Sequence, residues 1–173
     1  MFELAPSGRS KCRGCGQAIA RGGWRYGDRL PNPFGEGEIT HWFHPGCAAY
    51  KRPDALLASL AEAPAELPGR ESLERSARGS LVAPRLPRID GAERSPSSQA
   101  RCRQCHEPIE KGAWRIRLVY YEEGTFSPSG FIHLACRAPY FETDADIFEQ
   151  ALHFSRGLSA DDREDLRRAF GSI

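Results

Sequence analysis

One sixteen-residue phrase occurs twice, and it constrains the fold more than any other feature. "CRGCGQAIARGGWRYG" begins at residue 12 and "CRQCHEPIEKGAWRIR" begins at residue 102. At this offset of 90, Cys12 lies over Cys102, Cys15 over Cys105, Ile19 over Ile109, Gly22 over Gly112, Trp24 over Trp114 and Arg25 over Arg115. Further on, His44 matches His133 and Cys47 matches Cys136 at an offset of 89, so the second copy is one residue shorter between. All 6 cysteines fall inside the match, three to a copy. The chain is a tandem duplication, and whatever one copy folds into, the other must closely follow.

Each copy reads Cys-x2-Cys, a long loop, then His-x2-Cys. The loop has 28 residues between Cys15 and His44 and 27 between Cys105 and His133. A short Cys-x2-Cys turn brings two thiolates to one metal, and the second short pair completes a tetrahedron. Four protein ligands leave no open position, so the pattern predicts structural rather than catalytic zinc. An iron–sulfur centre fits three cysteines and one histidine less well. The expected ligands are Cys12, Cys15, His44 and Cys47 for one Zn²⁺, and Cys102, Cys105, His133 and Cys136 for a second. In the first copy His41 competes with His44, but the second copy has only His133, three positions before its cysteine. His44 is therefore the expected ligand, and His41 is left as a residue behind the ligands or at the surface. His106 reads as a bystander and His153 as a helix packing residue.

The start, "MFELAPSGRSK", has no apolar core of a secretory signal. An intracellular, reducing compartment is the expectation, and there cysteines are better placed for metal than for disulfides. No run of about 18 apolar residues suggests a membrane span. The formal net charge of +1 hides an asymmetry. Residues 1–52 carry eight Lys/Arg against four acids, whereas residues 141–173 carry four Arg against eight acids. A basic front is a modest footprint of phosphate binding.

The organisation predicted is a first finger over 1–78, a linker over 79–98 rich in Pro, Ser, Gly and charge, and a second finger over 99–173. The expected fold class is α+β: two tandem, zinc-stabilised Cys3His modules, each a small antiparallel sheet plus helices. "WRYG" and "WRIRLVYY" alternate as half-buried strands do, which would set Trp24 and Trp114 on one face and Arg25 and Arg115 on the other. Helical patterns follow in "PDALLASLAEA", "GRESLERSA", "DADIFEQALHF" and "SADDREDLRRAF", the last with Ser159 and Asp162 as an N-cap signal. Modules this small cannot rest on an ample apolar core. Metal binding contributes on the order of 10–16 kcal/mol of apparent folding free energy in zinc-finger peptides.

With ligands and spacing in hand, the chain resembles two tandem zinc fingers of the poly(ADP-ribose) polymerase type, the DNA-break-sensing fingers also found on a DNA ligase. The resemblance rests on "FELAPSGRSKC", the Cys-x2-Cys, "WR" and "HWFHPGC" in the first copy, and on "GLSADDREDL" near the end. No counterpart of the polymerase's catalytic domain is expected in the chain. The resemblance implies phosphate contacts from an arginine three positions before the first cysteine and another on the next strand, here Arg9 and Arg25. It also implies that apolar side chains of the long loop, here Phe34 and Ile39, stack on bases exposed at a break. In the second copy Gln99 stands where that first arginine would be, and Arg115 is kept. Its loop offers Phe126 as a stacker but also carries Glu122 and Glu123, with Arg101 and Arg117 as candidate compensation. The second finger is thus expected to bind DNA more weakly or to orient the first.

The leading expectation is a non-enzymatic, zinc-dependent protein that recognises DNA strand breaks or ends without reading sequence. A role in DNA repair, in the nucleus or nucleoid, with a repair enzyme as a further partner, goes with it. The alternative is a zinc-stabilised protein-interaction adaptor. An enzyme is disfavoured, since every cysteine is a ligand and no Ser-His-Asp phrase, Walker loop or paired-carboxylate motif is present.

Overall fold

A computed structural model describes residues 1–145 and 147–172. The chain divides into two compact units, Met1–Val82 with Tyr121–Phe126, and Ala83–Tyr120 with Ser127–Ile173. Each holds a three-stranded sheet, in the orders β1-β2-β3 and β4-β5-β6.

In the first unit β1 (Phe2–Leu4), β2 (Trp24–Pro31) and β3 (Glu38–Phe43) form an antiparallel sheet. Phe2, Tyr26 and Phe43 lie in line across it and bury their rings together, 5.2 and 6.5 Å between successive centroids. Three helices follow: α1 (Pro45–Lys51), α2 (Pro53–Leu60) and α3 (Arg70–Ser80). Proline opens α1 and α2 at their first turn, where a missing N–H costs nothing. Both helices pack on α3, with Ala48, Ala49, Leu56, Leu60 and Ala77 buried.

The second unit repeats the sheet with β4 (Ile89–Arg94), β5 (Trp114–Glu122) and β6 (Thr125–His133). Glu123 and Gly124, both at positive φ, connect β5 to β6 as the twist of a two-residue hairpin turn requires. A 3-10 turn at Leu134–Cys136 leads into α4 (Arg137–Phe141), followed by α5 (Phe148–Phe154) and α6 (Ala160–Gly171). Ser159 caps α6 by accepting the Asp162 N–H at 3.0 Å, as the sequence signal predicts. Ile89, Ile109, Ile116, Leu118, Ile132, Phe141, Ala151 and Leu166 form its apolar centre.

The linker expected over 79–98 is not a linker in this structure. Its start, through Ser80, is the end of α3, and its middle is β4. This strand runs antiparallel to β5 with Glu93 opposite Arg115 and Arg94 opposite Trp114, and its Ile89 is fully buried. Gly91 makes the strand possible: it sits at φ 103° in a bulge, and a Cβ there would lie 2.6 Å from the Phe154 carbonyl oxygen. Polar composition concealed a strand that pairs on one edge only.

Candidate functional site

The four expected ligands of each copy converge. In the first unit Cys12 and Cys15 come from a tight turn closed by the Gly16 N–H on the Cys12 carbonyl, while His44 and Cys47 straddle the start of α1. In the second, Cys102 and Cys105 occupy the matching turn, while His133 precedes the 3-10 turn and Cys136 ends it. Within each set all ligand atoms lie within 4.8 Å of one another. His44 Nδ1 is 3.5 Å from Cys15 Sγ and 4.0 Å from Cys47 Sγ. His133 Nδ1 is 3.4 Å from Cys105 Sγ and 3.9 Å from Cys136 Sγ. Tetrahedral zinc with ordinary bond lengths requires an S···N separation of about 3.6 Å. Both donor sets fit structural zinc, bound through Nδ1 of each histidine.

The surroundings orient these ligands. Cys12 Sγ accepts the His44 backbone N–H at 3.3 Å, and Cys102 Sγ accepts those of His133 and Gln104, each at 3.4 Å. His133 Nε2–H donates to the Pro108 carbonyl at 3.1 Å, which fixes its tautomer with Nδ1 free for metal. The thiols crowd one another electrostatically. Hydrogen bonds from Cys12 and Cys47 push the Cys15 thiol far below its ordinary value. His44 is pushed up to about 10, chiefly by the Cys12 and Cys15 thiols. Burial works against ionisation of Cys102, yet its backbone N–H donors outweigh it and bring the thiol to about 6. Burial, with hydrogen bonds to Cys102 and Cys105, raises Cys136 to about 12. Three thiols so close cannot all ionise without a cation. A divalent ion removes that conflict, and so couples metal binding to folding.

His41 stands in β3 opposite Asp28 and is 5% exposed, so it is not a surface residue. Burial and the Arg13 charge lower its pKa, and its Nδ1 has no partner among the described residues.

Of the other expected site residues, Arg9 is exposed in the segment leading to Cys12. Phe34 stands at the tip of the β2–β3 loop, 94% exposed. The loop is closed beneath it by the Asn32 N–H on the Gly37 carbonyl at 3.0 Å, and Asn32 Oδ1 accepts the Phe34 N–H at 3.0 Å. Ile39 is half-buried on β3, opposite Leu30.

Three residues are placed otherwise than expected. Arg25 is only 6% exposed. Its Nε and a terminal nitrogen donate to Glu3, the other terminal nitrogen donates to Ser10 Oγ at 2.7 Å, and the guanidinium lies 3.5 Å from the Trp42 ring centre. Arg115 repeats the arrangement with Glu93, with Ser95 at 3.0 Å and with the Phe131 ring at 3.5 Å. Alternation alone would send both arginines to solvent, but the neighbouring strand sets a carboxylate opposite each, and an aromatic ring covers the other side. Phe126, expected to offer itself to a base, packs edge-on to Phe43 at 6.3 Å and against Tyr121 at 4.7 Å in the first unit. Glu3 and Glu93 were legible: extending the offset of 90 back toward the N-terminus sets one on the other.

Residues 3–82 match the family model described as the poly(ADP-ribose) polymerase and DNA-ligase Zn-finger region. Poly [ADP-ribose] polymerase 1 of Gallus gallus is 27% identical over 190 residues, covering 96% of this chain and 18% of that protein. Poly [ADP-ribose] polymerase of Drosophila melanogaster is 24% identical over 139 residues, covering 70% of this chain and 14% of that protein. The chain thus spans less than a fifth of either relative. No helix among the described residues is long and apolar enough to cross a membrane. The matched segment holds the first Cys3His set, and the chain repeats that set at Cys102–Cys136, outside the match.

Proposed function

We propose that the chain binds DNA at strand breaks or ends, independently of sequence and without a catalytic step of its own. The observation that carries this reading is Phe34. A fully exposed phenylalanine, raised on a loop that its own hydrogen bonds close, has no role in the core. A break exposes a base face that an intact duplex hides, and an aromatic stacked on such a face contributes about 1–3 kcal/mol.

Arg9 supplies a guanidinium to the phosphate backbone, and Ile39 flanks the stacked base. Phosphate contacts of this kind position a protein without reading sequence. Arg25 and Arg115 act from within: each holds its strand, its carboxylate and its ring in register at the base of the β2–β3 and β5–β6 ribs. Zinc fixes the base of each rib. The same reading puts the protein with DNA in a reducing nucleus or nucleoid, in repair, alongside an enzyme that acts on the break.

The test is binding of the zinc-loaded protein to intact, nicked and blunt-ended duplexes across salt. Preference for nicks or ends, with affinity falling steeply as salt rises, is the expected result. Replacing Arg9 by Ala should weaken all DNAs alike and make the salt slope shallower by about 0.9. Should a folded protein holding two zincs bind none of these DNAs, the reading fails and a protein-interaction module takes its place.

A further inference from the structure

The second unit carries a basic pocket beside its zinc turn. It measures about 340 Å³ and is lined by Arg85, Arg88, Arg103, Gln104, His106 and Tyr140. Among the described residues no carboxylate lines it. Among the described residues none of the three arginines is paired with an acid. Arg85 donates to the Tyr140 carbonyl at 2.8 Å and leans over the Tyr140 ring, Arg88 lies 5.6 Å from the Tyr120 ring centre, and the stem of Arg103 runs along Gly130. Three permanent cations line one pocket with no described acid to balance them, a setting that favours an anion.

The two zinc turns differ at this place. The first turn is Cys-Arg-Gly-Cys-Gly and the second is Cys-Arg-Gln-Cys-His. Gly16 adopts φ 73°, a left-handed conformation that suits glycine, and His106 adopts φ 64° at the matching position. A side chain is disfavoured in that conformation. The second copy nevertheless has an imidazole there and an amide at Gln104, and both face the pocket. Arg85 and Arg88 come from the segment ahead of β4.

We propose that this pocket binds phosphoryl groups. Planar guanidinium forks match phosphate oxygens two at a time, and an amide and an imidazole N–H complete a donor-rich lining with room for more than one phosphate. Where the source is DNA, the pocket gives the second finger the phosphate-binding cations that Gln99 does not provide, and it then rests on the DNA-binding reading. Phosphate binding itself does not depend on that reading.

The experiment uses the full zinc-loaded chain and Arg88→Gln/Arg103→Gln, which leaves the Arg85 anchor intact; zinc content and melting temperature establish that the variant is folded. Amide resonances of Gln104 and His106 are followed while pyrophosphate is added, against sodium chloride at equal ionic strength. In parallel, the salt dependence of nicked-duplex binding is measured. Pyrophosphate should shift both resonances in the wild type and not in the variant, and the slope of log affinity against log salt should be shallower in the variant by about 2. A pyrophosphate response with an unchanged slope supports a free phosphate ester as the ligand; a changed slope without that response supports the DNA backbone. Shifts that chloride reproduces, together with an unchanged slope, overturn the proposal. If the wild type binds no DNA, the pyrophosphate titration alone decides, so the two proposals fail separately.

Discussion

The two fingers share a metal geometry and differ in what they build around it. The ion pairs are common to both: Glu3–Arg25 over Trp42, and Glu93–Arg115 over Phe131, each at the same register of its sheet. The projecting loops are not. The first finger raises Phe34 into solvent, whereas Phe126, the aromatic expected to play that part in the second, is packed on Phe43. The zinc turns differ as well, with two glycines in one and Gln104 and His106 in the other. A duplicated module thus keeps what holds the metal and the sheet, and varies the side chains that are free of both. The repeat identifies the scaffold; the departures from it identify the places where function has diverged.

Metal removal should have the largest effect on this contrast. Chelation should unfold both fingers, with zinc contributing on the order of 10–16 kcal/mol to modules of this kind. The ligand sets differ in cover: Cys12 and Cys47 are both buried in the first, while Cys105 is exposed in the second. A chromogenic chelator should therefore record two zincs leaving in two phases, and cysteine-labelling with mass analysis should assign the faster phase to Cys102–Cys136. Gly91→Ala should come next. It sets a Cβ 2.6 Å from the Phe154 carbonyl at a φ of 103°, so a loss of about 1–3 kcal/mol in denaturant unfolding is expected.

Phe126→Ala should destabilise the protein by about 1–3 kcal/mol, less than a fully buried phenylalanine would, because the ring is half-buried. Phe34→Ala should leave the melting temperature unchanged. Equal losses of stability in the two variants would erase the distinction between the loops. The smallest effect concerns pH. Burial disfavours the Glu93 carboxylate, but hydrogen bonds from Arg115 and Arg117 more than offset it and hold its pKa below the usual value. A carboxyl depressed by folding contributes stability above its unfolded pKa and loses that contribution as pH falls through the folded one. Stability should thus decline below about pH 4.3, the ordinary glutamate value. Glu93→Gln should flatten that decline, by no more than about 1 kcal/mol, since the Glu93 carboxylate keeps roughly a third of its exposure although Arg115 is buried.

The ligands were legible because zinc fixes both residue type and spacing, and because a second copy resolved His41 against His44. Ser159 was legible because capping is local. Three features were not, and each depends on a partner distant in sequence. β4 is polar and glycine-containing, and only β5 makes it a strand. Arg25 reads as a solvent-facing strand residue until Glu3 and Trp42 are set around it. Phe126 reads as an exposed loop aromatic until Phe43 and Tyr121 pack on it. Phe34 was named through the resemblance alone, and only the structure shows it exposed.

Break recognition through Phe34 is decided by the ratio of affinities for a nicked and an intact duplex of one sequence, measured for the zinc-loaded wild type and for Phe34→Ala. Stacking on the base uncovered at a nick predicts a ratio well above one for the wild type. In the variant it should fall toward one, a loss of about 1–3 kcal/mol confined to the nicked DNA. A ratio that Phe34→Ala leaves unchanged, or a wild-type ratio of one, would contradict it.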